Sequence, residues 1–249
     1  MTDTTGDIER ELERVLPEAG TEHQPDIGEP FAADYWYGEL SLHVHDTLAD
    51  THHDGAATAA AGVECLRAYI RLRSQLLVQL HDDVAHSFTA DPTHTLLASD
   101  QLYAAAYAAL ARSGGPVSLF DAVTCTSQCI TGALSTHYTD PETASSPGSL
   151  VDGTMGALGE AAATIGAILA DATDAQHESV RLLGRGLGAL EFIRRTDDLE
   201  PQDRHVVLPD ADESGLDVYA DDRRADVLGA LDDLDDTVDV RDLRALVPR

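Results

Sequence analysis

Two pairs of adjacent aspartates are the side chains of this sequence that are best suited to chemistry. Asp82-Asp83 ends one apolar run with helical spacing, and Asp197-Asp198 ends another such run much further along the chain. Carboxylate oxygens are the ligands that Mg²⁺ prefers in proteins. If the two helices face each other, the four carboxylates could hold Mg²⁺ against a diphosphate. All four are therefore candidate metal ligands.

The chain as a whole is so acidic that paired aspartates are often only solvated surface. Its 45 Asp and Glu residues face 16 basic residues, all of them arginine, which gives a formal net charge of -29. Such a charge repels nucleic-acid phosphates and anionic membrane surfaces, so binding to either is disfavoured. A salt-rich cytoplasm would screen the repulsion among surface carboxylates. We therefore expect a halophilic source and a protein that loses stability at low salt.

Apolar residues recur with helical periodicity along most of the chain, and no stretch alternates as a strand would. The pattern predicts roughly eight helices, arranged as an all-α, single-domain bundle over residues 1–249. Residues 1–30 are expected to form an N-terminal helix and loop, residues 201–214 a mobile loop, and residues 237–249 a charged tail.

Two of the predicted helices would position the aspartate pairs. The first runs from Ala56 to about residue 85, and the second begins near Asp174 and leads up to Asp197-Asp198. Between them, a helix over residues 153–172 is rich in glycine and alanine, whose small side chains favour close approach of another helix. Such a surface would suit an interface with a second chain.

Three segments, in this order, give the sequence its resemblance to a known family. The quoted residues are His81-Asp82-Asp83 with Pro92-Thr93 and Leu96-Leu97-Ala98-Ser99-Asp100-Gln101-Leu102-Tyr103, then Met155-Gly156-Ala157-Leu158-Gly159, then Gly184-Arg185-Gly186-Leu187-Gly188 with Phe192 and Asp197-Asp198. Over about residues 56–200 the chain resembles the trans-prenyl diphosphate synthase family, also known as polyprenyl synthetases and including geranylgeranyl diphosphate synthase-like proteins.

The resemblance implies a bundle of the isoprenoid synthase type and a function in isoprenoid biosynthesis. In active members, two Asp-Asp-x-x-Asp motifs on facing helices bind Mg²⁺ around an allylic diphosphate and draw charge onto the leaving group. That role falls here on the four aspartates, with Mg²⁺ as the expected cofactor. Leu77, Val78 and Phe192 would line a substrate pocket for a growing chain. The resemblance also predicts a homodimer, or a heterodimer with an active prenyl synthase.

Several positions depart from the family pattern. His86 and Pro201 stand where the third acids of the two motifs belong, and Thr154-Met155 stands where the family has Lys-Thr. Diphosphate recognition needs fixed cations, and this chain supplies few at the matching places. The first hypothesis is therefore a catalytically degenerate protein, a pseudoenzyme that serves as a non-catalytic or regulatory subunit.

Two alternatives stay open beside it. An active Mg²⁺-dependent prenyltransferase could still condense an allylic diphosphate with isopentenyl diphosphate if the remaining aspartates suffice. A lipid-binding helical module could instead hold a prenyl lipid inside the bundle without chemistry. The sequence thus leaves open whether the chain is an enzyme.

A group of histidines near the predicted second helix invites a metal hypothesis. The group consists of His43, His45, His52 and His53. Side chains at i and i+2 do not share a helix face, and no cysteine joins the group. The sequence therefore disfavours a metal site at these residues.

The remaining polar candidates have simple interpretations. Cys125 and Cys129 are expected to be small buried residues of a core helix, although their spacing would also allow a metal. Arg194-Arg195 could meet a phosphate or pair with neighbouring acids. The three cysteines indicate a reducing compartment. With no signal-peptide pattern and no apolar run of membrane-spanning length, we expect a cytoplasmic protein.

Overall fold

The computed structural model describes residues 4–16, 34–81, 91–139, 146–197, 199 and 213–248, and every regular element in these ranges is helical. The eight longer helices are α1 (Thr4–Val15), α2 (Trp36–Leu48), α3 (Ala56–His81), α4 (Pro92–Ser113), α5 (Ser118–Thr139), α7 (Ala157–Leu169), α8 (Asp174–Asp197) and α9 (Glu213–Asp235). Two short helices, α6 (Pro147–Val151) and α10 (Arg241–Ala245), and a π-helical turn (Asp152–Gly156) complete the described elements. The predicted all-α class is confirmed.

Helices α3 and α4 pack closely against each other, and local chemistry sets both ends of α4. The Asp91 carboxylate accepts the backbone N–H groups of Thr93 and His94 at 2.8 and 3.1 Å, which caps the first turn. Gly114 ends the helix with φ 73°, in the left-handed region that glycine favours. Residues 82–90 lie outside the described residues, so the predicted extension of α3 to about residue 85 stays a prediction.

Helix α7 lies inside the bundle, between α8 and α2. A Cβ atom on Gly159 would come within 2.2 Å of the Gly184 carbonyl oxygen, and one on Gly188 within 2.5 Å of the Met155 carbonyl oxygen. On the other side, a Cβ on Gly166 would lie 2.3 Å from the Ser41 carbonyl oxygen. The glycines therefore let three backbones approach within one chain. The expected interface between this small-residue helix and a second chain stays a prediction.

The C-terminal residues contribute to the core. Val240 is 2% exposed and Leu243 is fully buried, and α10 packs against α2. The expected charged tail thus contains a short helix whose Leu243 side chain is buried in the core. Glu213 and Ser214, expected within a loop, begin α9, and residues 201–212 lie outside the described residues.

Helix α5 turns its two cysteines outward. Its buried side is formed by Leu119, Val123 and Ile130, and this spacing leaves Cys125 and Cys129 on the opposite, exposed side. The expectation that both cysteines are buried is wrong because positions 125 and 129 fall away from the buried stripe of α5. Cys65, in contrast, is buried in α3, where burial raises the pKa of its thiol.

Across the part of the chain that the structure describes, none of the helices combines the length and the apolar character needed to cross a membrane.

Candidate functional site

Of the four aspartates in the predicted metal site, the structure describes Asp197, at the carboxyl end of α8. Asp197 is the last residue of this helix, and its side chain is exposed. Asp82, Asp83 and Asp198 lie outside the described residues, and the described part of α3 reaches His81, immediately before the first pair. The facing arrangement of the four carboxylates therefore stays a prediction.

The three predicted pocket residues all lie at the edge of the core or within it. Val78 is 2% exposed, while Leu77 and Phe192 are half-buried and pack against the main apolar core. The described cleft lies elsewhere, near the C terminus, and its walls are formed by residues 235–241 and Arg244. None of the predicted pocket residues lines it, so their role toward a prenyl chain stays a prediction.

The arginines at the end of α8 are held by carboxylates. Arg194 donates two hydrogen bonds to Glu191, at 2.8 and 2.7 Å. Arg195 donates to Glu191 at 2.7 Å and binds both carboxylate oxygens of Asp34 at 2.8 and 2.6 Å. Of the two interpretations of this arginine pair, the structure shows the pairing with neighbouring acids.

Electrostatics reinforce these pairs. Burial acts to raise the pKa of Glu191, but hydrogen bonds from Arg194 and Arg195 outweigh it and hold that pKa below its usual value. Burial acts to lower the pKa of Arg195, but its hydrogen bonds to Asp34 and Glu191 outweigh burial and hold that pKa above its usual value. Both groups therefore stay charged, each balanced by a partner, at neutral pH.

A buried ion pair continues this network into α3. Glu64 is fully buried, pairs with Arg67 one turn later and accepts the Gly38 N–H at 2.7 Å. Arg67 also donates to the Asp34 carbonyl oxygen at 2.8 Å. Burial raises the pKa of Glu64 more than Arg67 lowers it. We call Asp34, Glu64, Arg67, Glu191 and Arg195 the Asp34 cluster, and it ties the start of α2 to α3 and α8.

A second network crosses the middle of α8. Arg185 binds Asp152 in the π-helical turn at 2.6 Å and Glu160 in α7 at 2.7 Å. Tyr219 in α9 donates to Asp152 at 2.9 Å, and Arg223 approaches the same carboxylate at 3.8 Å. We call Asp152, Glu160, Arg185, Tyr219 and Arg223 the Asp152 cluster. Burial acts to raise the pKa of Asp152, but the hydrogen bond from Arg185 helps to hold it below its usual value.

The π-helical turn contains the position at which the family resemblance places a lysine. Thr154 occupies it, is 6% exposed, and donates its hydroxyl to the Leu150 carbonyl oxygen at 2.6 Å. Met155, at the next position, is half-buried against the core. This turn thus supplies no cation at the matching position, although π-helical turns often mark functional sites.

Comparison with known proteins identifies the fold. No family model and no curated protein matches this sequence. A geranyltranstransferase from Methanosarcina mazei matches with TM-score 0.70 and 13% identity, over 98% of this chain and 93% of that chain. A polyprenyl synthase from Caulobacter crescentus, solved with calcium and isoprenyl diphosphate, matches with TM-score 0.70 and 15% identity, over 98% and 92%.

A third similar structure is described as a subunit. The geranyl diphosphate synthase small subunit from Antirrhinum majus matches with TM-score 0.63 and 18% identity, over 93% of each chain. The structural neighbours are consistently trans-prenyl diphosphate synthases. The chain therefore has the isoprenoid synthase fold, as the sequence resemblance predicts.

Sequence reasoning missed the Asp34 cluster. One signal was available, because Glu64 and Arg67 lie one helical turn apart inside an otherwise apolar stretch, which favours a buried pair. The partnership of Asp34 with Arg195 could not be found in the same way. Asp34 is an ordinary acid in an acidic chain, and only the tertiary fold brings it to α8.

Proposed function

We propose that this protein serves isoprenoid biosynthesis as a non-catalytic or regulatory subunit of an active prenyl diphosphate synthase. The observation that carries the proposal is the pairing of the cations around the end of α8. Arg194 and Arg195 are balanced by Glu191 and Asp34, and Arg67 by Glu64. A bound diphosphate is stabilised by preorganised cations, and a carboxylate on the same guanidinium group opposes it.

Two further features support a subunit role. Thr154 leaves the family's lysine position without charge. The similarity to a protein described as a small subunit of geranyl diphosphate synthase adds a precedent for this fold in a heteromeric enzyme. Because α7 is buried inside the chain, the proposed contact with a synthase uses other helices.

Co-purification tests this function. We would co-express the chain with each full-length prenyl synthase of the same source, purify the complexes in molar KCl, and measure rate and product chain length. The expected result is that the chain alone shows no turnover, while one synthase co-purifies with it and changes rate or product length. A catalytically inactivated version of that synthase is the control, because its complex must then be inactive.

A chain that neither co-purifies with a synthase nor alters its products contradicts the proposal. An unrelated acidic protein of similar charge, added at the same concentration, controls for effects of net charge alone.

A second function is an active Mg²⁺-dependent prenyltransferase. The exposed Asp197 carboxylate favours it, because carboxylates are the donors that Mg²⁺ and Ca²⁺ prefer. The similar Caulobacter crescentus synthase was solved with calcium and isoprenyl diphosphate. In this function Asp82, Asp83, Asp197 and Asp198 would hold Mg²⁺, which would polarise the diphosphate leaving group.

Direct turnover separates the two functions. An active enzyme would elongate an allylic diphosphate with isopentenyl diphosphate in molar KCl and Mg²⁺, and Asp197→Asn would lower the rate at least tenfold. Asp233→Asn on α9 is the matched control, because it removes one exposed aspartate elsewhere. Absence of turnover by the chain alone rules this second function out.

A further inference from the structure

The connection between α2 and α3 brings together three side chains that the proposed function does not use. His45 lies in the last turn of α2, Asp46 follows it, and His52 comes from the loop before α3. One ligand atom from each residue lies within 4.8 Å of the other two. We propose that His45, Asp46 and His52 form a binding site for a divalent transition-metal ion of the Zn²⁺ type.

The three side chains differ in exposure. His45 is 1% exposed, and its Nδ1 lies 2.9 Å from Asp46 Oδ1. The His52 ring stands edge-on to it, with ring centroids 5.6 Å apart. Zinc bonds of about 2.0–2.2 Å place neighbouring tetrahedral ligand atoms about 3.4 Å apart. Because Asp46 and His52 are exposed, they can move by the required ångström around the fixed His45.

The hydrogen bonds of His45 define where the cation would enter. The backbone N–H of His53 donates to His45 Nε2 at 3.3 Å, so that nitrogen accepts and the ring proton lies on Nδ1. Nδ1 then donates to Asp46. A cation bound at Nδ1 replaces this proton, and Nε2 gains one, so the ring stays neutral. The cost is the 3.3 Å bond from His53, because the protonated Nε2 and the His53 N–H are then both donors and the His53 N–H must turn away from the ring.

The loop that presents His52 is held in place on the side that leads into α3. A Cβ atom on Gly55 would come within 1.9 Å of the Ser113 carbonyl oxygen, so the loop backbone lies directly against the end of α4. The Gly55 N–H donates to His53 Nδ1 at 3.1 Å, and the Ala56 N–H donates to the His53 carbonyl oxygen at 2.9 Å. Because the backbone is already ordered, metal binding has little loop entropy to overcome.

The donor set distinguishes this site from the acidic surface. A chain of net charge -29 attracts cations everywhere, and its carboxylates suit Mg²⁺ and Ca²⁺. Imidazole nitrogens suit Zn²⁺, Cu²⁺ and Ni²⁺ instead. His43, two residues before His45, lies outside the three-residue group. The site therefore depends on a buried and an exposed histidine that the sequence pattern alone did not pair.

Zinc titration tests the site. The full chain is titrated with Zn²⁺ against a chromophoric chelator in molar KCl with excess Mg²⁺. The KCl screens the charge of the surface carboxylates, and Mg²⁺ competes with Zn²⁺ for them. The expected result is one Zn²⁺ per chain, with affinity at least tenfold weaker in His52→Ala and weaker in Asp46→Asn. His43→Ala is the matched control and should bind like the unmodified chain.

The proposal is overturned if His52→Ala binds Zn²⁺ as tightly as the unmodified chain, or if no binding exceeds that of a histidine-free acidic control protein. Substitution of exposed His52 and Asp46 leaves the core untouched, and circular dichroism checks the helical content of each variant. Visible absorption of bound Co²⁺ gives a second measurement. A spectrum of tetrahedral type, lost in His52→Ala, supports the site, whereas an octahedral aqua-type spectrum contradicts it.

Discussion

The Asp34 cluster and the Asp152 cluster both hold α8 through arginine and carboxylate groups, but the Glu64–Arg67 pair of the first is far more buried than the Asp152–Arg185 pair of the second. Glu64 and Arg67 in the first are 0% and 8% exposed at their side chains. Asp152 and Arg185 in the second are 26% and 27% exposed. Desolvation makes a buried charge costly once its partner is removed, whereas solvent compensates at a half-exposed pair. Similar chemistry should therefore respond very differently to mutation.

Removal of Arg67 should have the largest effect. Arg67→Met keeps much of the side-chain volume but leaves Glu64 buried without its cation and removes the bond to Asp34. We expect a loss of about 3–5 kcal/mol in the free energy of unfolding, measured by urea denaturation in molar KCl.

Arg181→Met is the matched control, because Arg181 is 48% exposed and pairs with Glu160 and Glu178 at the surface. It should cost less than about 1 kcal/mol. Equal losses in the two variants would refute the difference drawn between buried and exposed pairs.

The glycine contact between α7 and α8 joins the same two helices as the Glu160–Arg185 pair of the Asp152 cluster, and its disruption should have the next largest effect. Gly159→Ala drives a methyl group into the backbone of α8, and we expect a loss of about 1–3 kcal/mol by thermal or urea unfolding. Gly132→Ala on α5 is the control, since its Cβ would meet no atom within 4 Å. That variant should gain up to about 1 kcal/mol from helix propensity. If Gly159→Ala behaves like the control, the close contact does not exist.

Neutralisation of Asp152 should cost less. Asp152→Asn keeps the shape of the side chain but weakens its charge-assisted bonds to Arg185 and Tyr219. Because the Asp152 side chain is 26% exposed, water replaces part of the lost interaction, and we expect a loss of about 1 kcal/mol in the free energy of unfolding, measured by urea denaturation. A loss as large as that of Arg67→Met would contradict the expectation that the more exposed pair contributes less to the free energy of unfolding.

A change of pH should have smaller effects on the free energy of unfolding than these substitutions. Acid destabilises the fold through some of the carboxyl groups and stabilises it through another. The pKa values of Asp152 and Glu191 are lowered in the folded chain, so the unfolded chain binds more protons below about pH 4 and stability falls there as the pH falls. The raised pKa of Glu64 acts the other way, because its contribution is lost as the pH rises through that value. Melting temperatures from pH 3 to 7 should therefore flatten at the acid end in Asp152→Asn. An unchanged profile would contradict the assignment.

Helical periodicity and the order of three short segments sufficed to predict the all-α class and the isoprenoid synthase fold. The glycines of the second and third segments turned out to share one structural purpose, because Gly159 and Gly184 meet in the α7–α8 crossing. Close helix contacts of this kind require glycine at fixed positions, and such positions can be recognised in a single sequence. The fold could therefore be predicted, whereas the presence of activity depends on contacts between residues that are distant in the sequence.

The sites were less predictable because their partners are distant in sequence. Asp34 meets Arg195 across most of the chain, and no local pattern marks either residue. Helix faces and the lack of a neighbouring cysteine disfavour a metal site at the histidines near α2, but the loop that carries His52 toward His45 has no periodicity from which the sequence could predict their contact. Side-chain clusters built by tertiary contact require the coordinates, whereas the aspartate pairs were visible as sequence motifs.

The most direct test of the proposed non-catalytic role is calorimetric titration with Mg²⁺ and a non-hydrolysable allylic diphosphate analogue in molar KCl. In the proposed subunit role, this chain has no competent diphosphate site of its own, because Arg194 and Arg195 are matched by carboxylates. We therefore expect no metal-dependent binding by the chain alone. Metal-dependent binding that is abolished in the Asp82→Ala/Asp83→Ala double variant would contradict the proposed role and establish a surviving prenyltransferase site.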